Sequence, residues 1–343
     1  MKMTIDEARE KLGGTKVHAV AIQKGGTGKT TITSDLCYTL AKMGFKVLAI
    51  DSDPQASLSG LCNKQDETLG LQTLYELLLY SLKKRIPFTF DDVKKVWIEY
   101  DENGDNIKAP RYIAPKYRSV ETESRPFGFD LIPASIDLAN YDINLNKSAE
   151  LGSSGGTALK YFVDLIKKNM DYDFIIIDTC PGLNMIAYNA ICAGIDGTII
   201  PINLEPMTIK GAQNLINTTT EIQELLWENQ GCIHKGILGV IKNQYAPRLK
   251  IQQRFEGVVE TFFPIPAFKT TIPSKTSCDT AHDLGRLYSE YDPKVGKKFE
   301  ERVEEIIKED IRRAPETELI KVEKFGQEVW DAVNEKKGEI NNE

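Results

Sequence analysis

The amino-acid sequence predicts an α/β fold: a doubly wound, mostly parallel sheet flanked by helices. Three observations predict it. A strand, a glycine-rich loop, a helix and a second strand follow one another between Lys16 and Ile50. Compact apolar runs of the kind buried in a parallel sheet return three times further along the chain. Helical stretches separate those runs, and such alternation is the mark of βαβ units.

Taken in order, Lys16 to Gln23 (KVHAVAIQ) is a short, mostly apolar run that flows into Lys24-Gly25-Gly26-Thr27-Gly28-Lys29-Thr30-Thr31. Thr30 to Met43 places Ile32, Leu36, Leu40 and Met43 at helical spacing and stops at Gly44. Lys46 to Ile50 (KVLAI) is strand-like and ends at Asp51. The pattern resumes with strands at Asp173 to Asp178 (DFIIID), Gly197 to Ile202 (GTIIPI) and Gly236 to Ile241 (GILGVI). Helices are expected over Gly155 to Lys168, Leu183 to Ala193 and Thr208 to Trp227.

Two stretches break the alternation. Ser81 to Arg125 is polar and dotted with aromatics, and reads as an inserted hairpin or an irregular excursion. From Pro293 onward the chain is highly charged, with Phe299, Val303, Ile306, Ile307 and Ile311 on one helical face. Leu319, Val322, Val329, Trp330 and Val333 lie on another, and Pro315 divides the two. Two amphipathic helices packed on the core account for this; a partner-binding helical hairpin is the sharper alternative. The expected organisation is a main domain over residues 1–290, with an insertion at about 81–128, and a charged helical extension over 291–343.

Composition narrows the classes. With 343 residues, 41% apolar and 27% charged, the chain matches an ordinary globular protein. No apolar run approaches the length of a membrane helix, and the N-terminal segment MKMTIDEAREKLGG carries no apolar signal. The six cysteines form no C-x-x-C pair, which fits reduced thiols in the cytoplasm. A net charge of −7 gives no whole-protein attraction for nucleic acid, so such binding needs a local basic patch.

The loop carries the chemistry. It closes on G-x-G-K-T, while the first glycine of the full G-x-x-x-x-G-K-[ST] spacing falls on Gln23 or Lys24. Glycines let phosphates approach the backbone, and the helix that follows presents N–H groups and a positive end to the anion. Lys29 adds mobile charge at the β- and γ-phosphates, and the Thr30 hydroxyl is a Mg²⁺ ligand. Asp178 ends an apolar strand in the Walker B position for Mg²⁺. Asp51 and Asp53, just beyond the second strand, point the same way if extended, towards the γ-phosphate and its attacking water. The second lysine, Lys24, suggests a site shared between two copies of the chain.

KGGTGKTT, IDSDPQ, FIIIDTCPG and IIPINLEPMTIKGAQNLI, in this order, resemble the ParA/Soj partition ATPases, within the deviant-Walker group that includes MinD. The resemblance covers most of residues 16–290. It implies a P-loop NTPase fold, ATP and Mg²⁺ as cofactors, and a homodimer that sandwiches two ATPs. In it Lys24 crosses to the partner's phosphates, Gly25, Gly26, Thr27, Gly28, Lys29 and Thr30 keep their cradle roles, and Thr31 meets the α-phosphate. Asp53 positions the hydrolytic water, Asp51 is its switch-region companion, and Thr30, Asp51 and Asp178 are the candidate metal ligands. Glu205 matches an acidic position beside the dimer-facing nucleotide, and Asn243 and the segment around Pro273 lie where the family grips the adenine. Cys180 departs from the pattern, standing where proline is common. It reads as a passive small side chain, with a redox-sensitive thiol as the alternative.

The resemblance also implies nonspecific DNA binding by the ATP dimer, a ParB-type centromere-binding adaptor that stimulates weak hydrolysis, and a place on the nucleoid. Lys242, Arg248, Lys250, Arg254, Lys269 and Lys275 share a stretch with only Glu256 and Glu260 as acids. That local excess suits phosphate-backbone contact, and Arg248, Lys250 and Arg254 are the candidate residues. A solvated helix face is the plainer reading of the same charges. Few residues precede the first strand, so no helix-turn-helix domain is expected there. The ending WDAVNEKKGEINNE is acidic and poorly apolar, which argues against a MinD-like membrane helix. No paired cysteines suit an iron–sulfur relative, and no tyrosine-rich tail suits an autokinase. A positioning ATPase with a protein cargo would run the same cycle as one that moves plasmids or chromosomes.

Overall fold

The strands in chain order are β1 (Lys16–Val20), β2 (Val47–Ser52), β3 (Glu99–Tyr100), β4 (Asn106–Lys108), β5 (Asp130–Ile132), β6 (Phe174–Thr179), β7 (Gly197–Ile202) and β8 (Ile237–Lys242). Six of them form one sheet in the order β5-β2-β6-β1-β7-β8, with every pairing parallel. β3 and β4 pair antiparallel as a separate ribbon. The structure, a computed structural model, describes residues 3–62, 73–75, 77–78, 99–100, 106–108, 128–141, 155–263, 267–274, 276–284 and 286–314. Most of the insertion expected at 81–128, and the second tail helix expected around Leu319 to Val333, lie outside these residues.

The helices are α1 (Ile5–Leu12), α2 (Lys29–Lys42), α3 (Ser57–Cys62), α4 (Ala158–Asn169), α5 (Met185–Ala193), α6 (Pro206–Gln230), α7 (Lys250–Phe262), α8 (Thr276–Asp283), α9 (Tyr288–Tyr291) and α10 (Pro293–Arg313). They cover both faces of the sheet, and strand alternation divides the core between them. Phe174 and Ile176 of β6 pack with Ile32, Leu36 and Leu40 of α2 and with Phe299 and Val303 of α10. Their neighbours Ile175 and Ile177 turn to Leu159, Phe162 and Ile166 of α4 on the other face. A third cluster joins Ile200 and Ile202 of β7 to α6 and α7.

The first helix of the expected tail is part of this core. Asp292 caps α10 by accepting from the N–H groups of Lys294 and Val295, with Pro293 at the first position, where its missing N–H costs nothing. Val295, Phe299, Val303, Ile306 and Ile307 are then buried against α2 and α1. Asp310 of α10 also reaches His18 of β1 at 3.0 Å, both fully inside.

Neighbouring strands send the chain opposite ways. β1 connects through α2 towards the β5 edge, whereas its neighbour β6 connects through α5 towards the β8 edge. A crevice opens at the carboxyl ends of strands at such a switch point, and ligands of open α/β sheets bind there.

Candidate nucleotide site

The loop after β1 enters that crevice. Gly26 and Gly28 take left-handed conformations, φ +75° and +81°, where a side chain would be strained. Gly28 is the N-cap of α2 and no side chain caps the helix, so its first N–H groups face outward without a protein partner of that kind. A cavity of about 560 Å³ opens over them, lined by Gly25, Gly26, Gly28, Lys29, Thr30, Thr31 and Asp53. Its size suits a nucleotide.

Strand register delivers the acids. Asp178 of β6 is the pairing partner of Val20 on one side and of Asp51 on the other, so three strand ends come level. Thr30 Oγ1 donates to Asp178 Oδ2 at 2.7 Å and Thr33 Oγ1 to Oδ1 at 3.0 Å. Burial and repulsion from Asp51 raise the Asp178 carboxyl above its usual range, opposed by those hydroxyls and by Lys29. Burial also holds Lys29 below the ordinary lysine value, against the pull of Asp178 and Asp53. One buried lysine among three buried acids, beside a helix start that no side chain caps, suits an anion that arrives with its own cation.

Asp51 and Asp53 do not face the same way. Both oxygens of Asp51 are engaged by its own loop: Oδ1 accepts from Asp53 N at 3.1 Å, and Oδ2 accepts from Ser59 N at 2.8 Å and Ser59 Oγ at 2.6 Å. Asp51 therefore closes the turn into α3, while Asp53 lines the cavity and takes the N–H of Gln55 at 2.9 Å. Cys180 donates to Asn184 Oδ1 at 3.2 Å, and burial pushes its thiol up to about 11, which keeps it protonated and inert.

Lys24 turns away from the cavity that its own loop makes. Its Nζ pairs with Glu205 Oε2 at 2.7 Å on the surface, with side-chain exposures of 37% and 49%. Asn243 and Pro273 are brought near one another, because Tyr245 N donates to Ile272 O and Tyr245 bridges Pro273. Neither lines the phosphate cavity. The Asn243 amide donates to the Thr27 carbonyl at 2.7 Å.

The basic stretch is thinner than its sequence. Lys242 is buried and holds Glu256 at 2.6 Å and Glu260 at 3.1 Å, so it belongs to the interior and not to the patch. The same two contacts occupy the only acids of the stretch. Arg248 and Lys250 are exposed at the start of α7, with Arg254 a turn further and Lys269 exposed nearby. Lys275 lies outside the described residues.

Sequence reasoning missed Ser57, Pro181 and His282, which also line the cavity. Ser57 and Pro181 follow the recognised acids within a few residues, so proximity was an available signal. His282 arrives from α8, and nothing local to it points to the loop.

The residues present fit a magnesium nucleotide: two glycines that leave the backbone bare, an uncapped helix start, a buried lysine, and Thr30 on Asp178. Among the described residues no group of three His, Cys, Asp or Glu could hold a metal alone. This suits a hard cation carried in on phosphate oxygens. Nor is any described helix long and apolar enough to cross a membrane.

Comparison with known proteins agrees with this geometry. A family model described as an AAA domain matches residues 15–230. The chain is 31% identical over 280 residues to the sporulation initiation inhibitor protein Soj of Bacillus subtilis, covering 81% of this chain and 92% of Soj. It is 28% identical over 282 residues to the chromosome partitioning protein ParA of Caulobacter vibrioides, covering 81% and 88%. Among solved structures, apo McdA of Cyanothece superposes with a TM-score of 0.61 at 25% identity, covering 85% of this chain and 99% of McdA.

Proposed function

This chain belongs to the AAA-domain family, within the ParA/MinD superfamily of positioning ATPases that use ATP and Mg²⁺, and we propose that it is a dimerising switch that binds nonspecific DNA in its ATP state. Hydrolysis, stimulated by a ParB-type adaptor, resets it, and the cycle partitions a plasmid or chromosome on the nucleoid. The observation that carries the dimer is Lys24: a lysine of the phosphate loop held at the surface by Glu205, out of its own cavity. A cation so placed is available to a second copy's phosphates.

The roles follow from the surroundings. Lys29, itself buried, and the bare N–H groups at the helix start hold the phosphates. Mg²⁺, when bound, neutralises phosphate charge; Thr30 and Asp178 are the residues to hold it. Asp53, on the cavity wall, orients the attacking water. Asp51 keeps the loop carrying Asp53 in place through Ser59.

A DNA titration with ATP, with ADP and without nucleotide, at two salt concentrations, tests the switch. Binding should require ATP, ignore sequence and weaken steeply with salt. Equal binding in all three nucleotide states would overturn it.

A further inference from the structure

Against the carbonyls of the glycine loop, and not among the residues that line the cavity, stand two amides that follow β8. Asn243 is buried and its Nδ2 donates to the Thr27 carbonyl at 2.7 Å. Gln244 Nε2 donates to the Gly26 carbonyl at 3.4 Å. The Gln244 amide is itself oriented by Asn203, whose Nδ2 donates to Gln244 Oε1 at 2.9 Å. Gln244 holds this place at φ +50°, a left-handed conformation uncommon for a side chain of its length. Space has been cleared for the arrangement, since a Cβ on Gly28 would stand 2.3 Å from Asn243 Nδ2.

A trans peptide is planar, and its C=O and N–H point opposite ways. Holding the Thr27 carbonyl from behind therefore turns the N–H of Gly28 to the front. Holding the Gly26 carbonyl does the same for the N–H of Thr27. The front is where Gly26 and Gly28 line the cavity.

We propose that Asn243 and Gln244 are the positioning residues of the phosphate cradle, aiming the N–H groups of Thr27 and Gly28 at a bound phosphate without touching the nucleotide. Asn203 acts through Gln244. This rests on reading the cavity as a triphosphate site. It departs from the adenine contact that the family resemblance implies for Asn243, and the two assignments differ in one measurable respect. A contact to the base is felt only by nucleotides, whereas a brace behind the backbone serves any polyphosphate.

The test uses the full chain with neutral replacements of similar volume, Asn243→Leu and Gln244→Met, titrated with Mg-ATP and, by displacement of a fluorescent ATP analogue, with inorganic tripolyphosphate. A net hydrogen bond is worth about threefold to tenfold in affinity, so Asn243→Leu should weaken both ligands about tenfold and Gln244→Met about threefold. Gln244 is exposed, so the melting temperature of nucleotide-free Gln244→Met should stay within about a degree of the parent while the stabilisation by ATP shrinks. Asn203→Ala should weaken ATP on its own but add nothing in a Gln244→Ala background. A loss confined to ATP would give Asn243 to the base and overturn the brace, as would unchanged affinity in Gln244→Met. An additive effect of Asn203→Ala overturns its place in the chain of contacts. Failure of the unsubstituted protein to bind Mg-ATP would sink the nucleotide reading itself, a different outcome from normal parent binding with unaffected variants.

Discussion

Lys24 and Lys29 share one loop and meet opposite surroundings. Lys29 is buried, and Asp178 and Asp53 offset only part of the desolvation it suffers there, which phosphate charge at the cavity would relieve further. Lys29→Ala should abolish ATP binding at concentrations that saturate the parent. Lys24 spends nothing on its own cavity, so Lys24→Ala should change ATP affinity by less than about threefold while hydrolysis falls about a hundredfold, as when a transition-state cation is removed. Equilibrium titration and a phosphate-release assay separate the two, and equal losses in both variants would contradict the division of labour. The cradle and Asp178 were legible in sequence because each is a local pattern whose spacing implies its geometry. What Lys242 does was not. Lys242 is buried at the end of β8 and meets Glu256 and Glu260 of the following helix, whereas a charge count over the stretch credits it to the surface.

The helix α2 ties the cradle to the far end of the chain. Its N-terminus faces the cavity, and nearly two turns on Asp35 is fully buried, accepting from Ser289 N at 2.6 Å and from the Ser289 hydroxyl at the start of α9. Burial pushes the Asp35 carboxyl up to about 7, against the hydrogen bonds from Ser289. The folded protein thus keeps a proton that the unfolded chain has lost between about pH 4 and pH 7, and Asp35 withdraws stability as the pH rises through that window. Asn at this position can still accept both hydrogen bonds but does not titrate. The melting temperature of Asp35→Asn, relative to the parent, should therefore climb by several degrees from pH 4 to pH 7; a constant difference would show that folding does not shift the Asp35 carboxyl. Elements with a strong period were legible here, α2 and the central strands to within a few residues. α1 was missed although Thr4 and Glu7 form a capping box and Gly13 a left-handed stop, because eight residues leave little room for a period. β5 is three residues long, and only its pairing with β2 makes it a strand.

At the scale of the whole molecule, the proposed DNA binding requires one basic face on a protein of net charge −7. The burial of Lys242, which engages Glu256 and Glu260, leaves exposed Arg248 and Lys250, with half-buried Arg254 a turn further, as the candidate charge of that face. Replacing all three with glutamate should weaken DNA binding and flatten its salt dependence by about one unit of slope per lost phosphate contact, with ATP affinity unchanged. Unaltered DNA affinity would move the interface elsewhere. The edge strand β8 delivers Asn243 and Gln244 to the loop after β1, which is why the cradle could be read from one end of the chain while its support could not. Gly28 and Asn243 show what this means for descent. Each occupies the room the other leaves, one from the first strand and one from the last. A lineage can enlarge position 28 only after it has shortened position 243, so across diverging sequences these two sites should change in a fixed order and be inherited together.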